Sequence, residues 1–175
     1  MTLVVKLWGG LMVLAAAGGF GYMVAESYAR RPRELRQLIG SLQLLETEIN
    51  YAATPLGEAM PRLASASGPP LDALFRRCRE LLLEGGGITA GEAWRRSLEE
   101  VYERTSLQER DREILLSLGF SLGASDRADQ LKHLRLAMSQ LAVEEERARE
   151  EAARNVRMFR YLGLLGGLAL WLLFY

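Results

Sequence analysis

The chain has 175 residues, 49% of them hydrophobic, and its 22 basic and 22 acidic side chains leave no formal net charge. That is long enough for one domain with a real core, and too apolar and charge-balanced for a disordered or polyionic chain. Neutralising phosphates takes a clustered excess of Lys and Arg, so no nucleic-acid partner is expected.

The averages conceal a segregated sequence. From Leu7 to Ala25 there is no charged residue, and from Tyr161 to Tyr175 there is none. Nineteen apolar residues rise about 28 Å as a helix, close to a bilayer core of about 30 Å, so residues 3–25 are predicted as a first transmembrane helix. The rival for this segment is a cleaved signal peptide. Its run is long for that, and Arg30, Arg31, Arg33 and Arg36 follow it on the side where they oppose export. Residues 158–175 are predicted as a second, shorter transmembrane helix that spans with some mismatch if Arg160 snorkels to the headgroups. Arg154, Arg157 and Arg160 precede it and no positive residue follows. The two flanks agree on a multi-pass protein in the cell membrane, with residues 26–157 in the cytoplasm and both termini outside.

The stretch between reads as helices only. Pro32 is expected to end or kink the first helix, after which Leu35, Leu38, Ile39, Leu42, Leu45 and Ile49 recur at helical spacing. Thr54-Pro55 reads as an N-cap and first helical residue, and Pro69-Pro70 as the start of a third helix that the glycines Gly85 to Gly87 stop. That helix carries Cys78, the single cysteine, in an apolar stripe that reads as core. Thr89 to Glu92 and Ser106 to Glu109 have capping-box spacing and open two further helices. From Ser125 nothing breaks a helix, so a rod of about 50 residues is predicted, with a core stripe of Leu131, Leu134, Met138 and Leu141. Beyond it the sequence EEERAREEAARNVR is polar on nearly all sides, and Glu145/Arg149 and Glu150/Arg154 read as i,i+4 pairs of a solvated stalk. The fold class is therefore all-α: an antiparallel bundle of five to six helices, flanked by the two membrane segments.

Catalytic patterns are sparse. No Walker-type Lys-Ser/Thr follows the glycines, and no nucleophile elbow surrounds any serine. Asp126, Asp129 or Gln130, and His133 would share one helix face, which suits a small metal or acid-base site. One histidine is nevertheless too few for a di-metal carboxylate site, and zinc usually takes three or four His or Cys ligands. No catalytic residue, cofactor or metal is assigned, and Asp126 is read as the N-cap of the long helix with Asp129 at its third position. His133, two turns in, reads as a packing or hydrogen-bonding residue. In the apolar ends, Gly163 and Gly167 form G-x-x-x-G, and Ala17, Gly21 and Ala25 make a small-residue ridge at the same spacing, as membrane helices use for close packing, between the two segments or between protomers.

Taken in order, RRPRELRQLIGSLQLLETEINYAATPLGEA, then LGASDRADQLKHL, then a Glu- and Arg-rich helix into YLGLLGGLALWLLF resembles the stage III sporulation protein AB family of endospore-forming bacteria over essentially the whole chain. The resemblance implies a non-enzymatic inner-membrane platform in the channel between mother cell and forespore, in the mother-cell membrane around the forespore. It also implies a cytoplasmic domain like that of the type II secretion F and type IV pilus platform proteins. The implied partners are an ATPase like stage III sporulation protein AA and the other membrane proteins of the channel, beside the lipid bilayer and a possible homo-oligomer. Residues expected to be exposed for docking are Arg33, Glu34 and Arg36 on the first cytoplasmic helix, and Asp126 and Arg127 before the long one. The alternative reading is a membrane-tethered helical metal-dependent or acid-base enzyme centred on Asp126 and His133.

Overall fold

A computed structural model describes residue 19, residues 28–52, 54–84, 87–123 and 126–174; the side chains of Ala52 and of most residues after 155 are outside the description. From residue 28 onward the described residues form six α-helices and no strand. They are α1 (28–47), α2 (Leu56–Ala66), α3 (Leu71–Leu83), α4 (Ala90–Tyr102), α5 (Glu109–Ser121) and α6 (Arg127–Phe174), with a π-turn at Glu48–Ala52 after α1. The chain divides into two compact units: Arg31–Glu146, and Met1–Arg30 together with Arg147–Tyr175.

The first unit is built on leucine stripes. Leu35, Leu38, Leu42 and Leu45 of α1 are fully buried, as the heptad-like spacing predicts. Ile39 is only partly covered, at the edge of the stripe. The helix runs through Pro32 rather than ending there, because proline costs only the one hydrogen bond back to residue 28 and its ring is buried. From α2 to α5 each helix lies against the next, as short connections favour. The centre is aromatic: Phe75 of α3 and Trp94 of α4 meet with centroids 6.1 Å apart and planes tilted by 51°. Trp94 is fully buried, and its indole Nε1 donates to the Leu115 carbonyl of α5 at 2.7 Å, which satisfies its one polar atom. Cys78 is buried in this core, and burial pushes its thiol up to about 11.

Two ion pairs give the relation of α1 to α6. Arg36 reaches Glu145 at 2.7 Å and Arg135 reaches Glu46 at 2.6 Å. The pairs step ten residues forward on α1 and ten back on α6, so the helices run antiparallel.

Two helix starts differ from expectation. The N-cap of α2 is Pro55, not Thr54, whose hydroxyl instead donates to Glu48 at 2.8 Å. The N-cap of α5 is Gln108 rather than Ser106, with Asp111 in the third position accepting from the Gln108 amide at 2.8 Å. Thr89 caps α4 as expected, accepting from the Glu92 amide at 3.2 Å. On α6 the buried seam of this unit is Leu134, Ala137, Leu141 and Glu144, while Leu131 and Met138 sit at its margins. The seam thus passes into the stretch read as solvated stalk, because Glu144 is covered by cations rather than by water. Glu145 also pairs with Arg36 across helices.

In the second unit, Ala148 and Ala152 are buried, and Met158, Tyr161 and Leu165 are exposed at three- and four-residue spacing along α6. Among the described residues no helix is long and apolar enough to cross a membrane. Residues 3–25, predicted as the first span, lie outside the described residues apart from Gly19.

Candidate functional site

The proposed docking residues fall into separate places. Arg33 and Arg36 are exposed on α1, as expected. Glu34 is not: it is 7% exposed, and its carboxylate accepts the Ser106 amide at 2.6 Å. Glu34 directly follows Arg33, and a step of about 100° around the helix takes the side chain from solvent to the neighbouring connection. Asp126 and Arg127 are exposed at the other end of the bundle. Arg36 pairs with Glu145, nineteen residues along α6 from Asp126, which is about 28 Å of helix rise. The four exposed residues therefore make two patches rather than one surface. Ala17, Gly21 and Ala25 lie outside the described residues, and Gly163 and Gly167 are placed only as backbone in α6.

Asp126 has the capping role read from the sequence. Its Oδ1 accepts the Asp129 amide at 2.8 Å, and its carbonyl accepts the Gln130 amide at 2.9 Å. His133, read as a packing or hydrogen-bonding residue, is exposed, which leaves out the packing role. Among the described residues no three His, Cys, Asp or Glu side chains converge to hold a metal ion.

What the sequence reading missed is a buried charged junction of α1, α5 and α6. The Arg31 guanidinium donates from Nε and an Nη to the two oxygens of Asp111, both at 2.9 Å, and to Glu144 at 3.3 Å. Arg31 is 8% exposed at its side chain, Asp111 0% and Glu144 7%. The other Glu144 oxygen meets Arg110, mostly in solvent, at 2.9 Å. Burial alone would lower the Arg31 guanidinium, but its hydrogen bonds and charge contacts with Asp111 and then Glu144 outweigh burial and hold it above its ordinary value. A junction of this kind adds little net stability against an apolar replacement, yet removing one member costs about 3–5 kcal/mol because the remaining charge is stranded. In the sequence Arg31 is one of four clustered arginines with a topological reading, and nothing in its spacing singles it out.

A second tight place lies where α4 meets α5. Gly91 and Gly119 let the two helices approach so closely that a methyl at Gly91 would stand 2.5 Å from the Gly119 carbonyl oxygen. Beside it a cleft of about 530 Å³ is lined by Thr89, Glu92, Arg95, Leu116, Phe120 and Leu122 among others, and Phe120 is 80% exposed at its rim.

The first unit is thus an all-helical bundle module, and the chain that carries it has an uncharged apolar run at either end. The chain belongs to the stage III sporulation protein AB family, whose model matches residues 6–175. Stage III sporulation protein AB of Bacillus subtilis (strain 168) is 38% identical over 168 residues, which cover 96% of this chain and 98% of that one. A solved structure of stage III sporulation protein AB superposes with a TM-score of 0.67 at 37% identity, covering 71% of this chain and 97% of its own.

Proposed function

We propose that this protein acts in endospore formation as a non-enzymatic platform in the mother-cell membrane around the forespore, docking a cytoplasmic ATPase to the channel between the two cells. The observation that carries this reading is the near-complete match to the stage III sporulation protein AB family, apolar ends included. Three features support it. The arginine-flanked uncharged runs argue for two membrane anchors with the bundle inside. Met158, Tyr161 and Leu165 project along one side of α6 as lipid-facing residues would. The polar side chains singled out for chemistry are spent on structure or left apart, Asp126 as a cap and His133 on an open surface.

The ATPase, of the stage III sporulation protein AA type, would meet one of the two exposed patches, Arg33/Arg36 or Asp126/Arg127. Deleting the gene in its own host should stop spore development after engulfment, and the full-length protein should co-purify with the ATPase from sporulating cells. Normal sporulation of the deletion strain would sink the platform role. Charge reversal at Arg33 and Arg36, compared with reversal at Asp126 and Arg127, would identify the patch through loss of co-purification. The enzyme reading centred on Asp126 and His133 would return if purified protein held a metal at one equivalent and released it on His133→Ala.

A further inference from the structure

The charged junction does more than join three helices, because α1 holds the connection between α4 and α5 at two points. Arg31 and Glu34 are three residues apart on α1, so they share one face and move together with the helix. Arg31 grips Asp111, and the same Asp111 carboxylate accepts the Gln108 amide at the start of α5. Glu34 accepts the Ser106 amide two residues earlier. The Gln108 acceptor thus belongs to the capping box of α5 itself but is gripped from α1 by Arg31, while the Ser106 acceptor comes from α1 directly. The rest of the connection is held locally, by Arg104 and Thr105 amides on Val101 and Tyr102 carbonyls and by the Thr105 hydroxyl. Glu144 on α6 closes the junction from the other side, sharing Arg31 with Asp111. Arg31 is also the residue at which the chain enters the compact unit.

We propose that this junction is a coupling device: the position of the start of α1 sets the conformation of residues 103–108 and the first turn of α5. A bidentate arginine–carboxylate contact is specific in direction as well as charge, so a rotation or slide of α1 that breaks it leaves the Asp111 carboxylate free to turn away from the Gln108 amide. The same movement withdraws Glu34 from Ser106. The connection then changes as one piece, and with it the exposed side chains of Gln108, Glu109 and Arg110 that it presents to solvent. Arg31 and Glu34 are in this sense positioning residues, acting through Asp111 and the backbone. The inference stands on the bundle alone and does not depend on the platform reading.

Amide hydrogen exchange at single-residue level, on the full-length protein in detergent micelles, tests it. Arg31→Met removes the grip on Asp111 and should raise exchange at least tenfold at Gln108. It should do the same at Ser106, whose own acceptor is untouched. Glu34→Met, which removes the acceptor and keeps the length of the side chain, should reciprocally raise exchange at Ser106 and at Gln108. Arg96→Ala, on α4 and outside the junction, should leave both amides protected. If each variant exposes only the amide its own side chain serves, the two contacts are independent and the device does not exist. A uniform loss of protection through α2 and α3 as well would show plain destabilisation and would equally overturn it.

Discussion

At Asp126 and Gly119 single atoms decide stability, in opposite ways. The Asp126 carboxylate satisfies an orphan amide at the start of α6, so Asp126→Ala should lower stability by about 1 kcal/mol in chemical denaturation. If function is lost while the denaturation midpoint stays put, Asp126 serves docking instead. Gly119 is the reverse case, where the absence of a side chain matters. A methyl there would stand 2.7 Å from Trp94 Cδ1, inside a ring already fixed by its hydrogen bond to Leu115. Helix propensity favours alanine by about 0.5–1 kcal/mol, but overpacking a core costs about 1–3 kcal/mol, so Gly119→Ala should destabilise. Gly91→Ala should cost more, because the obstacle is a backbone carbonyl that no rotamer change can remove. Equal stability of Gly91→Ala and the parent would mean that the helices sit further apart than described. The cap at Asp126 was legible in the sequence, since capping is local chemistry. The need for glycine at 91 and 119 was not, because it arises from a helix crossing between residues 28 positions apart.

Among the elements, α4 carries a compact charge cluster that its sequence spacing announces. Glu92 is hydrogen-bonded by Arg95 and Arg96, and these bonds hold its carboxyl down to about 2. An ordinary glutamate in the unfolded chain titrates near about 4.3. The contribution of Glu92 to stability is therefore complete above that value, and is lost as pH falls through the folded value near 2. A carboxyl-carbon NMR titration should find the Glu92 midpoint well below that of an isolated glutamate, and Arg95→Ala together with Arg96→Ala should bring it back. An ordinary midpoint in the parent protein would show that the cluster does not persist in solution. Because the pairs are largely open to water, little change in melting should accompany the double substitution. The i,i+3 and i,i+4 spacing that makes this cluster is visible from sequence. The fate of Glu144 and Glu145 was not, since their partners Arg31 and Arg36 come from a helix more than a hundred residues away. Charge pattern along one helix says which residues are near each other on that helix, and nothing about what lies opposite.

For the whole molecule the open prediction is topology. Cys78 is the single cysteine, is fully buried and has its thiol pushed up to about 11, so the native chain offers almost no background to thiol reagents. Thr2→Cys and Tyr175→Cys should each react with a membrane-impermeant maleimide on intact protoplasts made before engulfment. Ser117→Cys, exposed on α5, should react only after lysis. Labelling of Ser117→Cys in intact cells would reverse the orientation, and protection of Tyr175→Cys would mean that the second apolar run does not span. The sequence by itself determined the all-helical class, the boundaries of most helices to within a residue or two and the segregation of charge from the two ends. It could do so because periodicity, capping and breaker residues act within a turn or two of the chain. The tertiary structure alone decided that Glu34 turns inward, that Arg33/Arg36 and Asp126/Arg127 stand at opposite ends of the bundle, and that Arg31, Asp111 and Glu144 meet in a largely buried cluster. Those outcomes depend on which helix faces which, and that is set by packing summed over the whole core rather than by any short run of residues.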